Sequence, residues 1–97
     1  MYFWGHGVPQ DNTEAVKWLR KAADQGNANA QYDLGIAYFK GLGVPQDYPI
    51  AYMWLSLGAA GGNKDAAKFR DALTANMTPA QITEAERLTR EWKPGQK

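Results

Sequence analysis

The sequence predicts an all-α fold, a superhelix (solenoid) of antiparallel helix pairs with a capping helix at its C-terminal end. The first observation is a repeated turn: GVPQD occurs at 7–11 and again at 43–47, which are 36 positions apart (43 − 7 = 36). When residues 1–30 are aligned with 37–66, half of the pairs are identical. The second observation is that the apolar residues between the turns recur with the spacing of a helix. A period of this length indicates stacked helical units, because a single unit cannot cover its own apolar face.

We expect a single helical-repeat domain over residues 1–97. The chain is 44% hydrophobic and 22% charged, which is enough for a modest core. The alignment divides it into a truncated first repeat at 1–26, a full repeat at 27–62, and a degenerate repeat with a C-terminal cap at 63–97. The first repeat is truncated because Met1 aligns with Ala37, which lies inside a helix of the second copy.

The first predicted helix runs from about Thr13 to Gln25. Asp11 is placed to cap it, and Glu14 three residues later completes a capping box. Four residues share one side of this helix and are expected to face the core: Ala15, Trp18, Leu19 and Ala22.

The second predicted helix, from Ala28 to Lys40, has clear signals at both ends. Asn27 is a preferred N-cap residue, Gly41 stops the helix, and Pro45 prevents it from continuing through the turn. Its inward face is formed by Ala30, Leu34, Ala37 and Tyr38. Gly35, on the same helix, predicts that another helix crosses closely at that point.

The third predicted helix runs from about Pro49 to Ala60 and begins after Asp47, which is placed to cap it. Its inward face repeats that of the first helix, with Ala51, Trp54, Leu55 and Gly58. Small residues next to tryptophan favour close helix packing, because the ring fills the space that the small residues leave.

Two further helices are predicted in the C-terminal part. One runs from about Lys64 to Ala75, with Ala66, Phe69 and Leu73 on its apolar side. The last begins after Thr78, where Pro79 and Gln81 complete the start signal of a capping box. It is expected to bury Ile82, Ala85, Leu88 and Trp92 and to expose a charged face, which is typical of the terminal cap of a solenoid.

Residues 30–63 resemble a complete Sel-one-like repeat, which is a relative of the tetratricopeptide repeat. They read AQYDLGIAYFKGLGVPQDYPIAYMWLSLGAAGGN, and the similarity covers the LG..Y core, the G.GV.QD linker and the A..WL...A..GN second helix. The resemblance implies a scaffold that binds other proteins, frequently in bacterial signalling, envelope or secretion assemblies. Cysteine-rich relatives have been linked to β-lactam binding or hydrolysis, but this chain has no cysteine.

The helix at 28–40 has a second apolar face. At about 100° per residue, its members lie opposite the Leu34 side. In related solenoids the first helix of each pair lines the concave surface, so this face is our candidate partner groove. It consists of Asn29, Tyr32, Ile36, Phe39 and Lys40. The alternative is that these side chains pack against neighbouring helices.

The function expected from these patterns is a noncatalytic protein-interaction scaffold with a protein or peptide partner. A second hypothesis is a self-associating module that forms a homodimer. The truncated repeat leaves Tyr2, Phe3 and Trp4 without a helix partner of their own, and a second copy would cover them. A third is a hydrolase like the cysteine-rich relatives, which the missing cysteines and the missing acid/base pair disfavour.

Other classes of function find little support. His6 is the one histidine, so no histidine pair exists to hold a metal, and we expect no metal, no cofactor and no catalytic site. Asp24 and Asp33 are interpreted as solvated. The formal net charge of +1 favours neither nucleic acid nor a membrane surface as a partner. We expect a soluble chain without a signal peptide, and the compartment, cytoplasmic or periplasmic, stays open.

Overall fold

The computed structural model describes residues 12–92, and these form five α-helices and no strand. The helices are α1 (Asn12–Asp24), α2 (Ala28–Lys40), α3 (Tyr48–Ala60), α4 (Lys64–Thr74) and α5 (Pro79–Glu91). The expected all-α architecture is confirmed, and the predicted helix ends agree with the observed ones to within one residue.

Helix α3 lies at the centre of the fold. It packs against α2, α4 and α5, whereas α1 packs against α2. The three largest fully buried side chains are Leu34, Leu55 and Leu73, one each from α2, α3 and α4. The core therefore sits where these three helices meet, and α5 covers another side of α3.

Small residues allow α2 and α3 to approach closely. A Cβ atom added to Gly35 would lie 2.7 Å from Leu55 Cγ, which is too close for ordinary contact. On α3, a Cβ added to Gly58 would lie 3.1 Å from the Ala28 carbonyl oxygen and 3.3 Å from Ala66 Cβ. The close crossing that the glycine of α2 predicts is present, and Leu55 occupies the space.

The helix ends form as the local sequence predicts. The predicted caps Asn27 and Asp47 each accept a hydrogen bond from the backbone N–H three residues later, at 2.9 and 3.0 Å, and Asn63 caps α4 in the same way at 2.9 Å. Thr78 and Gln81 form the expected capping box at the start of α5. At the end of α2, Gly41 adopts the left-handed conformation, with φ of +75°. The predicted cap Asp11 lies outside the described residues.

The expected inward position of Trp18 is wrong. This side chain is 63% exposed, and α1 instead buries Val16 and Ala23. Part of that contact is a 3.1 Å hydrogen bond from the Gln31 side chain on α2 to the Ala23 carbonyl oxygen. Helix α1 therefore meets α2 through a side of the helix that is turned away from Trp18.

The repeat explains why two equivalent tryptophans differ. Trp54 holds on α3 the position that Trp18 holds on α1, but it is only 4% exposed. Its ring meets Trp92 edge to face, with ring centres 5.8 Å apart. Helix α5 starts 31 positions after α3 (79 − 48 = 31), so the residue of α3 that corresponds to the C-cap Trp92 is the C-cap Gly61, and α3 carries no aromatic residue there to cover Trp18.

Candidate protein-binding surface

The five residues of the candidate groove lie on α2, between its capped start at Asn27 and its end at Gly41. They differ in accessibility. Asn29 and Lys40, near the two ends, are exposed, Tyr32 and Phe39 are half-buried, and Ile36 is 8% exposed. In the free chain this face therefore offers two partly accessible aromatic rings between two exposed polar side chains.

The face is bordered by the start of α4. Asn63, the N-cap residue of α4, donates a side-chain hydrogen bond to Asn29 Oδ1 at 2.9 Å. Its own Oδ1 atom accepts from Ala66 N. One side chain therefore both starts α4 and fixes the first residue of the candidate surface, so α2 and α4 are held together at this end.

At the other end, Phe39 joins three helices. Its ring stacks on Tyr48, the first residue of α3, with ring centres 5.7 Å apart. It also meets Phe69 of α4 edge to face at 5.1 Å. Such aromatic pairs contribute about 0.5–1.5 kcal/mol each beyond the area that they bury. Phe39 is thus fixed in position, and only part of its ring is accessible to a partner.

Two acidic residues, Asp33 and Asp65, lie near Tyr32. Burial raises the pKa of the Tyr32 hydroxyl, and the negative charges of Asp65 and Asp33 raise it further. Burial also raises the pKa of Asp33 from its ordinary value of 3.8 to about 6. The start of the surface therefore combines a neutral phenol with two carboxyl groups, while Lys40 places a positive charge at its far end.

Asp33 and Asp65 are the residues of this region that sequence reasoning missed. Asp33 was expected to be solvated, but it is half-buried. The helical spacing carried a weak signal, because residue 33 lies about 100° from Leu34, between the core face and the opposite face. Nothing in the local sequence indicates that Asp65 of α4 lies near Tyr32.

The three aromatic residues of the self-association hypothesis, Tyr2, Phe3 and Trp4, lie outside the described residues, as does His6. In residues 12–92, no group of three or more His, Cys, Asp or Glu side chains could hold a metal ion. Over the same range, every helix is too short or too polar to cross a membrane.

Comparison with known proteins agrees with this architecture. The model of the Sel1 repeat family matches residues 1–27 and 28–63. A similar solved structure is a protective antigen present in uropathogenic Escherichia coli strains, which displays an SLR fold. The two chains are 35% identical and superpose with a TM-score of 0.85 over 93% of this chain. None of the curated proteins matches it.

This chain belongs to the Sel1 repeat family, and its fold is the helical-repeat solenoid of that family. Sel1 repeats are protein-interaction modules. The alignment covers 20% of the antigen's chain, so the present sequence spans about a fifth of that protein.

Proposed function

We propose that this chain is a noncatalytic protein-interaction module that binds a protein or peptide segment through the second face of α2. The observation that carries the proposal is the placement of Tyr32 and Phe39, two partly accessible aromatic rings between exposed Asn29 and exposed Lys40. Aromatic side chains that are surrounded by polar groups are typical anchors of protein interfaces. Membership in the Sel1 repeat family supports the same class of function.

The contacts that two side chains of the surface make with neighbouring helices support the proposal as well. Asn29 is hydrogen-bonded to Asn63, and Phe39 is packed against α3 and α4. A surface whose side chains are already ordered loses little conformational entropy when a partner binds. The α2 face is therefore suited to hold an extended or helical segment without rearrangement.

The chemistry of the face indicates what such a segment would carry. Tyr32 and Phe39 offer apolar contact, while Asp33 and Lys40 provide opposite charges on the same helix. A segment with a central apolar side chain and flanking polar groups would satisfy both kinds of contact. The described residues supply no arrangement that favours catalysis over binding.

The test compares partner capture by the wild-type chain and by a variant that carries Asn29→Arg and Lys40→Glu. Both positions are exposed, and Asn29→Arg removes the Asn63–Asn29 hydrogen bond but leaves the Asn63 bond from Ala66 N that starts α4, so the helices should still form, as circular dichroism would verify. The matched control is Arg90→Glu, which also reverses an exposed basic residue in the last turn of a helix. We expect the captured partner, once purified, to bind the double variant at least about tenfold more weakly and the control unchanged.

Equal affinity for all three chains would refute the α2 face as the binding surface. Light scattering on the same samples would show whether the captured partner is another copy of this chain. Self-association through Tyr2, Phe3 and Trp4 would appear as a dimer that Phe3→Ser with Trp4→Ser converts to monomer and that the α2 variant leaves intact.

A further inference from the structure

Helix α1 presents an exposed tryptophan that the α2 surface does not use. Trp18 is the one large hydrophobic side chain in residues 12–92 that is exposed, at 63%. The ammonium group of Lys21, one helical turn later, lies 5.1 Å from the centre of its ring. A cation over a tryptophan face gives the ring a defined orientation on the surface.

The repeat shows what covers a tryptophan at this position. The equivalent Trp54 on α3 is covered by α5, whose C-cap residue Trp92 meets it edge to face. Helix α5 is amphipathic, with Ala85 buried and Glu84 exposed. In the second copy a helix that ends in an aromatic residue therefore covers the tryptophan, and residues 12–92 place no such helix over Trp18.

A hollow of about 480 Å³ lies between α1 and Gly43, with Val16 as its apolar part, and Lys21, which lines it, also lies against the Trp18 ring. Three basic residues line it, Lys17, Arg20 and Lys21, against one acidic residue, Asp24. The guanidinium group of Arg20 donates a hydrogen bond to the Tyr38 hydroxyl, so we do not count it among the groups that would contact a partner. Lys17 and Lys21 are exposed, and they give the rim of the hollow a positive charge.

We propose that the surface formed by Trp18, Lys17 and Lys21 docks an acidic amphipathic helix of a partner protein. An aromatic residue of that helix covers Trp18 as Trp92 covers Trp54, and its carboxylates face the two lysines. This surface lies on α1, so the proposal goes beyond the binding function assigned to α2. Charge complementarity selects an acidic helix over a basic one, since like charges across an interface are costly.

The test uses a dye-labelled peptide with the sequence of residues 78–92, in which Arg87→Gln and Arg90→Gln leave Glu84, Glu86 and Glu91 as its charged side chains. Two control peptides are made from it, one with Trp92→Ala and one in which the three glutamates are replaced by glutamine. Binding to the full chain is followed by fluorescence anisotropy. We expect the acidic peptide to bind at least about tenfold more tightly than either control, and the binding to weaken as salt is added.

Variants of the chain locate the binding. Trp18→Ala, and separately Lys17→Glu with Lys21→Glu, should each weaken acidic-peptide binding at least about tenfold. Lys68→Glu on α4 is the matched control, because Lys68 is also an exposed helical lysine, and it should bind the peptide as the wild type does. Trp18→Ala is expected to fold normally because the side chain is mostly exposed, and circular dichroism would verify this.

Three outcomes would overturn the proposal. In the first, the acidic peptide does not bind. In the second, it binds Trp18→Ala as tightly as it binds the wild type, which would mean that it displaces α5 from α3. In the third, the free chain forms a dimer that Trp18→Ala dissociates, which would make a second copy the occupant. Each outcome is visible in anisotropy or in light scattering of the same samples.

Discussion

Gly35 sets the distance between α2 and α3. Its backbone lies against Leu55 and the Ala51 carbonyl oxygen, and an added Cβ would lie 2.7 Å from Leu55 Cγ and 3.2 Å from that oxygen. Glycine is a poor helix former, by about 1 kcal/mol relative to alanine. Glycine is tolerated at residue 35 because Leu55 of α3 fills the space that a larger side chain would need. Packing between the two helices therefore outweighs helix propensity at this position.

We therefore expect Gly35→Ala to lower the free energy of unfolding by about 1–3 kcal/mol, the usual cost of overpacking a core. Urea unfolding measures this directly. In a Leu55→Ala background the nearest clashing atoms are absent, so the same substitution should cost clearly less. If alanine at residue 35 stabilised the otherwise wild-type chain, the assigned role of Gly35 would be wrong.

Asp33 is the described carboxyl group whose environment opposes its charge. Burial raises its pKa to about 6, from 3.8. The folded chain therefore holds the proton more tightly than the unfolded chain does. The resulting contribution to stability is fully present below about pH 3.8 and is lost as the pH rises through about 6.

The substitution Asp33→Asn removes this titration and keeps the shape of the side chain. We expect the variant to gain stability relative to wild type at pH 7, and to gain less or nothing at pH 4. Thermal unfolding at the two pH values tests this, with Asp71→Asn as a control because the Asp71 side chain is 74% exposed. A gain that is the same at both pH values, or as large in the control, would contradict the assignment.

At the scale of elements, α2 is the helix that the sequence predicts best. Its two ends are specified locally, by an Asn27 side chain that reaches the Ala30 N–H and by a left-handed Gly41. Such signals depend on neighbours a few residues away, so they are readable without a structure. The caps of α3, α4 and α5 follow from the sequence for the same reason.

The exposure of Trp18 could not be predicted in this way. Helical spacing groups Trp18 with Ala15, Leu19 and Ala22, and the repeat equates it with buried Trp54. Whether a ring is buried depends on the element that lies against it, and this is a long-range property. Trp54 has Trp92, the C-cap residue of α5, as its neighbour, whereas the C-cap residue of α3 is Gly61.

The start of α5 offers a test at this scale. Thr78→Ala removes the side chain that accepts from Gln81 N and breaks the capping box. We expect a loss of about 1 kcal/mol in the free energy of unfolding, the typical value of such a cap. Thr83→Ala, at an exposed position inside α5, is the matched control and should be neutral or slightly stabilising. Equal losses for both variants would contradict a specific role for the cap.

At the scale of the whole molecule, the sequence specifies the fold more fully than the binding surface. The repeat predicts the helix pairs, and the buried leucines of α2, α3 and α4 join them into one core around α3. The candidate surface depends on contacts between elements, such as Asn29 with Asn63 and Phe39 with Phe69. These pairs have no local signal, so the sequence predicts which helix face to consider but not which of its side chains stay accessible.

The two proposed surfaces differ in how much their side chains contribute to the packing of the fold. On α2, ordered aromatic rings lie against α3 and α4, so changes there affect both packing and binding. On α1, Trp18 is mostly free of packing, so its replacement should affect binding alone. This difference separates the two surfaces in experiments without reference to the identity of either partner.

The measurement that tests the central claim most directly is an NMR titration of the isotope-labelled 10.8 kDa chain with the purified captured partner. Backbone amide shifts locate the contact without any substitution that could disturb the fold. We predict the largest shifts at Asn29, Tyr32, Ile36, Phe39 and Lys40 of α2. Saturable binding that leaves the amides of α2 unchanged would contradict the account.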